Sequence, residues 1–187
     1  MKEENMYLVH EGLLRRHVRE SNLIEGIVAR PGDPLHDGHL VAARLVAEGA
    51  PVHPDKLHRL LLHRVPGWRV WSGNYRTGGI MTVGKRKMPR AEAVPELMES
   101  CLSLIEDYRT LKSEYAEEGA SFIHAWFLCV HPYRDGNGRT ARLMLNALRL
   151  SKGLPWHVES AKNKHHYYAE IRRVEDLFRE EYPDVYP

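Results

Sequence analysis

The chain has 187 residues, 27 Lys and Arg against 25 Asp and Glu, and 43% of its residues are hydrophobic. At this size roughly 70% of the unfolded surface is buried on folding, so one core forms without help from a disulfide or structural metal. The near balance of charge argues against a surface built to cover nucleic acid or anionic lipid, and two cysteines cannot make a disulfide framework.

Cys101 and Cys129 sit in apolar, helix-like surroundings and are expected to be reduced core residues. The first residues, MKEENMYLVHEGLLRRH, carry acids and no long apolar run, unlike a secretory leader. The longest apolar stretch, Ala125 to Val130, is far shorter than the roughly eighteen residues a membrane helix needs. A soluble cytoplasmic protein with no membrane or nucleic-acid partner is the expectation, with residues 1–187 forming one domain.

In chain order, residues 7–20 place Leu8, Val9, Leu13, Leu14 and Val18 at helical spacing, and Ser21 reads as the cap of a second segment. Arg30 to Gly38 reads as loop, from its two prolines and two glycines. Short helices follow over His39 to Glu48 and Pro54 to Val65. Only residues 68–88 combine β-prone runs with turn residues, which predicts a β-hairpin around Gly79 to Met88. A helix with a broad apolar stripe runs from beyond Pro89 through Tyr108. Another, Ala116 to Val130, is apolar all round in its second half and so belongs at the centre of the fold. Pro132 stops it near His131. Helices over Arg139 to Ser151 and Lys162 to Glu180 complete a mainly α fold with one hairpin.

The chemistry lies between two of these helices, in HPYRDGNGRTAR, residues 131–142. Gly136 and Gly138 flank Asn137 where the next helix begins, and a glycine-rich entry into a helix offers unpaired N–H groups and a positive dipole end to phosphate. Arg139 and Arg142, three apart, share one side of the first turns, and two guanidinium forks suit a polyphosphate. Asp135 offers a hard oxygen to Mg²⁺. His131 titrates near neutral pH and can take a proton from an attacking hydroxyl.

This string resembles the signature of the Fic domain, HxFx(D/E)GNGRxxR, at every polar position: His131, Asp135, Gly136, Asn137, Gly138, Arg139 and Arg142. Tyr133 stands where Phe is usual, so its hydroxyl needs a partner. The resemblance extends to GNYR at 73–76, the hairpin after it and the helices to about residue 180. It implies a mainly α Fic-type bundle with a small hairpin flap, and transfer of AMP from ATP to a Ser, Thr or Tyr hydroxyl of a target protein. On that footing His131 is the base and Asp135 holds Mg²⁺. Asn137 and the N–H groups around Gly136 and Gly138 bind phosphate, Arg139 the α/β region and Arg142 the γ-phosphate. Tyr167 and Tyr168 lie where adenine contacts are expected, and Ile80, Met81, Thr82 and Val83 face the target backbone.

Residues 21–26, SNLIEG, resemble the inhibitory motif (S/T)xxxE(G/N) of the same family. The implied brake, in a region spanning residues 1–30, is a Glu25 carboxylate that takes Arg142 from the γ-phosphate, with Ser21 steadying the helix. Removal of AMP, another nucleotide donor, a non-catalytic nucleotide- or partner-binding role, self-modification and a homodimer all stay open. The chain's twelve histidines raise a metal hypothesis, but His53, His58 and His63, five apart, scatter around a helix, and no HExxH or paired-Cys motif is present.

Overall fold

The computed structural model describes residues 9–49 and 53–187; Leu8 and the rest of the region before Val9 lie outside them. The described residues form seven α-helices and one two-stranded antiparallel sheet, the mainly α architecture the sequence predicts.

Helix α1, Glu11–Ile24, buries Leu14, His17, Val18, Ser21, Asn22 and Ile24 on one face. It ends at Gly26, whose φ of 74° lets its N–H reach the Leu23 carbonyl and the Ile27 N–H reach that of Asn22. The expected cap at Ser21 is therefore corrected: Gly26 closes one continuous helix, and Ser21 lies inside it. Helix α2, Pro34–Ala47, begins inside the expected loop, because Asp33 accepts the Leu35 N–H at 2.8 Å and Pro34 fits the first helical position. Helix α3, Pro54–Leu62, stops short of Val65.

The hairpin is shorter than expected. Strands β1, Thr82–Val83, and β2, Arg86–Lys87, pair Thr82 with Lys87 and Val83 with Arg86 around Gly84, whose φ of 60° suits the tight turn. Ile80 and Met81 precede the ladder, although the Met88 N–H still reaches the Met81 carbonyl at 2.9 Å.

Helices α4, Val94–Thr110, α5, Ala116–Val130, α6, Asn137–Ser151, and α7, Lys164–Glu181, build the centre. The all-round apolar α5 packs against α4, α6 and α7, and Trp126 meets Phe178 and Tyr182 at ring distances of 4.7 and 5.8 Å. Cys101 and Cys129 are free and buried. Helices α1, α2 and α3 all pack on α6. This brings the end of α5, the start of α6 and the last turns of α1 to one place.

Candidate active site

His131 closes α5 in the left-handed region, with φ 50° and ψ 59°, the only non-glycine residue with positive φ among the described residues. A histidine held there is strained by about 1 kcal/mol or more, and the neighbouring chain holds it. Arg76 donates its Nε–H to the His131 carbonyl at 2.8 Å, one Nη2–H to Pro89 at 2.6 Å, and its backbone N–H to Pro132 at 2.8 Å. Burial pushes the half-buried His131 imidazole down to about 4, and Arg76 acts in the same direction against the Leu128 carbonyl, Glu25 and Asp135. The ring is neutral at pH 7, the form a proton acceptor requires.

The loop from His131 to Gly136 is folded on itself. The Asn137 side chain accepts the Tyr133 N–H at 2.9 Å and donates to the Tyr133 carbonyl at 2.8 Å. The Asn137 amide, expected at the phosphate, is thus buried and bonded to the loop. Tyr133 finds the hydroxyl partner it needs in Asp55, at 2.5 Å from Oδ1, and its ring stacks on His58 at 3.8 Å and 10°. His58, buried in α3, accepts the Gly73 N–H on Nδ1 at 2.7 Å and so donates from Nε2 to the Asp135 carbonyl at 2.9 Å. Burial pushes its pKa down to about 4, consistent with a neutral ring. Gly136 begins α6 at φ 77°, and a Cβ there would stand 3.1 to 3.3 Å from Leu61, Leu62 and His58. Glycine is required at this point for both reasons.

Asp135, its side chain 52% exposed, accepts the Gly136 N–H at 2.6 Å and lies 3.2 Å from Arg139. Arg139 is wholly buried, and its Nε and Nη1 have no partner among the described residues. Unmet buried guanidinium donors at the start of a helix are what an anion would satisfy. Arg142 is the opposite case. Its Nε–H goes to Ser21 Oγ at 2.8 Å, Nη1 to the Tyr167 hydroxyl at 3.1 Å, and Nη2 to the Ser21 carbonyl at 3.0 Å and Glu25 Oε1 at 2.6 Å. Glu25 also lies over the helix start, since a Cβ on Gly138 would collide with its Oε1.

Tyr167 is buried, with its hydroxyl between Arg142 and the His124 ring at 3.1 Å. Tyr167, expected at the adenine, is placed beside Arg142; Tyr168 next to it is half-buried. Ile80, Thr82 and Val83 are exposed and Met81 half-buried. Strand β2 is held down by α7 through the Arg86–Glu175 ion pair and by Arg179 Nη2 on the Lys87 carbonyl at 2.8 Å, while β1 keeps an open edge in the two-stranded sheet. Among the described residues no three His, Cys, Asp or Glu side chains are grouped to hold a metal. A single half-exposed carboxylate beside an anion site fits Mg²⁺ that shares its ligands with a bound phosphate.

The sequence assigns no role in the site to Arg76, His58, Asp55 or His124. Arg76 lay inside the recognised GNYR segment without a role, and His58 was one of three histidines weighed only as metal ligands.

A family model described as Fic/DOC family matches residues 52–148. The protein adenylyltransferase fic-1 of Caenorhabditis elegans is 32% identical over 116 residues, 62% of this chain and 22% of that one. The protein adenylyltransferase Fic of Nematostella vectensis is 31% identical over 123 residues, 64% and 27% of the two chains. The chain thus corresponds to only 22% to 27% of these curated relatives. A Fic domain-containing signaling protein from Bacteroides thetaiotaomicron superposes with a TM-score of 0.71 at 21% identity, covering 92% of this chain and 76% of that structure. Fic-1 of C. elegans superposes at 0.63 with 25% identity, covering 94% and 56%.

Proposed function

The chain belongs to the Fic/DOC family, and on that premise we propose that it transfers AMP from ATP to a hydroxyl side chain of a protein, and that Glu25 holds this activity off. The observation that carries the reading is the contrast between the two arginines of α6. Arg139 is wholly buried with two nitrogens unmet among the described residues, as in a site awaiting an anion, whereas Arg142 is saturated by residues of α1 and Tyr167.

In this mechanism the N–H groups at the start of α6 and Arg139 hold the phosphate chain. Asp135 would hold Mg²⁺, which when bound offsets phosphate charge. His131, neutral at pH 7, takes the proton as the target oxygen bonds to the α-phosphorus and the bond to pyrophosphate breaks. The open edge of β1, with Ile80 to Val83, receives the target backbone as an added strand. Glu25 occupies Arg142 and the space over Gly138, so the triphosphate cannot take the pose that in-line attack requires.

The test is incubation of wild type, Glu25→Gly and His131→Ala with radiolabelled ATP and Mg²⁺. Glu25→Gly is expected to label protein more strongly than wild type. His131→Ala placed in that background is expected to lose roughly 10²- to 10⁴-fold of the signal, the contribution of a positioned base. Equal labelling by wild type and Glu25→Gly removes the brake; labelling that survives His131→Ala removes the base.

A further inference from the structure

Beside the loop that carries His131 lies a cavity of about 560 Å³, lined by Arg59, His63, Arg69, Leu60, Val70, Ser72 and Asn74. It has no acidic lining. Arg59 and Arg69 are exposed, and neither makes an ion pair among the described residues. The Ser72 hydroxyl donates to the Arg69 carbonyl at 2.9 Å and one Asn74 amide hydrogen to the Val70 carbonyl at 2.8 Å. The two guanidinium groups are the full charges that the cavity lining offers a ligand, with aliphatic Leu60 and a Val70 that is 68% exposed as its apolar wall.

The wall is tied to the active site. Gly73 donates to His58, which in turn donates to the Asp135 carbonyl. Arg134, in the His131 loop, places its guanidinium 3.7 Å over the Trp71 ring. The same segment continues through Arg76 into the hairpin. An occupant of the cavity thus sits on the chain segment that connects the strand-receiving edge to the catalytic loop.

We infer that the Arg59–Arg69 cavity is a second docking point for the protein to be modified, and that it takes an acidic segment of that protein with an aliphatic side chain against Val70. This rests on the adenylyl-transfer reading for its biological use but not for the binding itself. Charge complementarity selects an acidic partner. A nucleic acid is the poorer fit, because single strands bind by stacking bases on aromatic faces and the Trp71 face is taken by Arg134.

The experiment uses the full chain without nucleotide and follows fluorescence anisotropy of a short fluorescein-labelled peptide of glutamates flanking a leucine. A lysine counterpart and a single-stranded RNA of similar length serve as comparisons. The acidic peptide is expected to bind, more weakly as salt is raised. Arg59→Glu with Arg69→Glu is expected to weaken it roughly tenfold or more, and Val70→Asp to weaken it independently, while Glu25→Gly leaves it unchanged. The Arg59, Arg69 and Val70 changes are at exposed positions, and thermal melts check the folding of every variant, Glu25→Gly included. Peptide binding that ignores both charge reversals, no binding at all, or tighter binding of the RNA through the same arginines each overturns the proposal. Peptide binding by a chain that labels nothing keeps the docking site and removes the reaction, so the two failures are separable.

Discussion

Tyr133 and His58 form one unit under the signature loop, and they contribute unequally. The Tyr133 hydroxyl reaches Asp55, which is only partly buried and can return to water. Tyr133→Phe keeps the stack on His58 and is expected to cost about 1 kcal/mol or less, with protein labelling by the Glu25→Gly form unchanged. His58→Ala removes the stack and both hydrogen bonds, leaving the Gly73 N–H buried and unmet. It is expected to cost about 2–4 kcal/mol in urea unfolding. Equal losses for the two variants would mean that the hydroxyl pair, rather than the stacked ring, holds the loop. The two residues also show what a sequence makes legible. That Tyr133 needs a partner follows from its hydroxyl alone, but the partner is 78 positions away, and the Asp135 carbonyl that engages His58 is 77 away. No local pattern marks such pairs. The motif itself was legible because its histidine, acid, glycines and arginines are contiguous along the chain.

At the scale of elements, α1 docks through a polar seam. His17 and His39 are buried, their rings 5.6 Å apart, with His39 Nδ1 3.2 Å from Asn22 Oδ1 and Trp156 edge-on to His17 at 5.1 Å. Arg142 and His157 face His17; His17, Arg139, Arg142 and His36 face His39. Burial pushes His17 down to about 3 and His39 well below its ordinary value, and the neighbouring cations act in the same direction. Both rings therefore shed their protons on folding. Their stabilising effect is complete above an unfolded value of about 6.5 and is lost as the pH falls below it. From about pH 7 to about pH 5, unfolding free energy is expected to drop by roughly 1.4 kcal/mol per histidine for each pH unit below 6.5. Denaturant melts on wild type and His39→Asn test this, the variant showing the shallower slope. Identical slopes would mean that His39 binds a proton without leaving its place. This seam was invisible in the sequence, where Ser21 read as the start of a helix. One continuous α1, closed at Gly26, carries Ser21 and Glu25 to α6 and Asn22 to α2.

Across the whole molecule, the fold ties α1 to α6 through one guanidinium, for which, on the proposed function, a bound nucleotide would compete. Glu25 and Ser21 reach Arg142 from 117 and 121 positions away, and α6, which carries Arg142, also packs against α2, α3 and α5. Glu25→Gly leaves a buried cation without its carboxylate, so the free protein is expected to lose stability by about 3 kcal/mol, the low end of the range because the Glu25 side chain is 30% exposed. The response to ligand should run the other way. A ligand stabilises in proportion to RT ln(1 + [L]/Kd), and in wild type part of that is offset by displacing Glu25 from Arg142 and from the space over Gly138. With Mg·ATP present, Glu25→Gly should therefore gain more in melting temperature than wild type does, narrowing or reversing the gap seen without nucleotide. Ser21→Ala, which strips the acceptor from Arg142 Nε but leaves the carboxylate, should fall between them in both measurements. Equal nucleotide-induced shifts in all three proteins would show that Glu25 and the triphosphate do not contend for the same place.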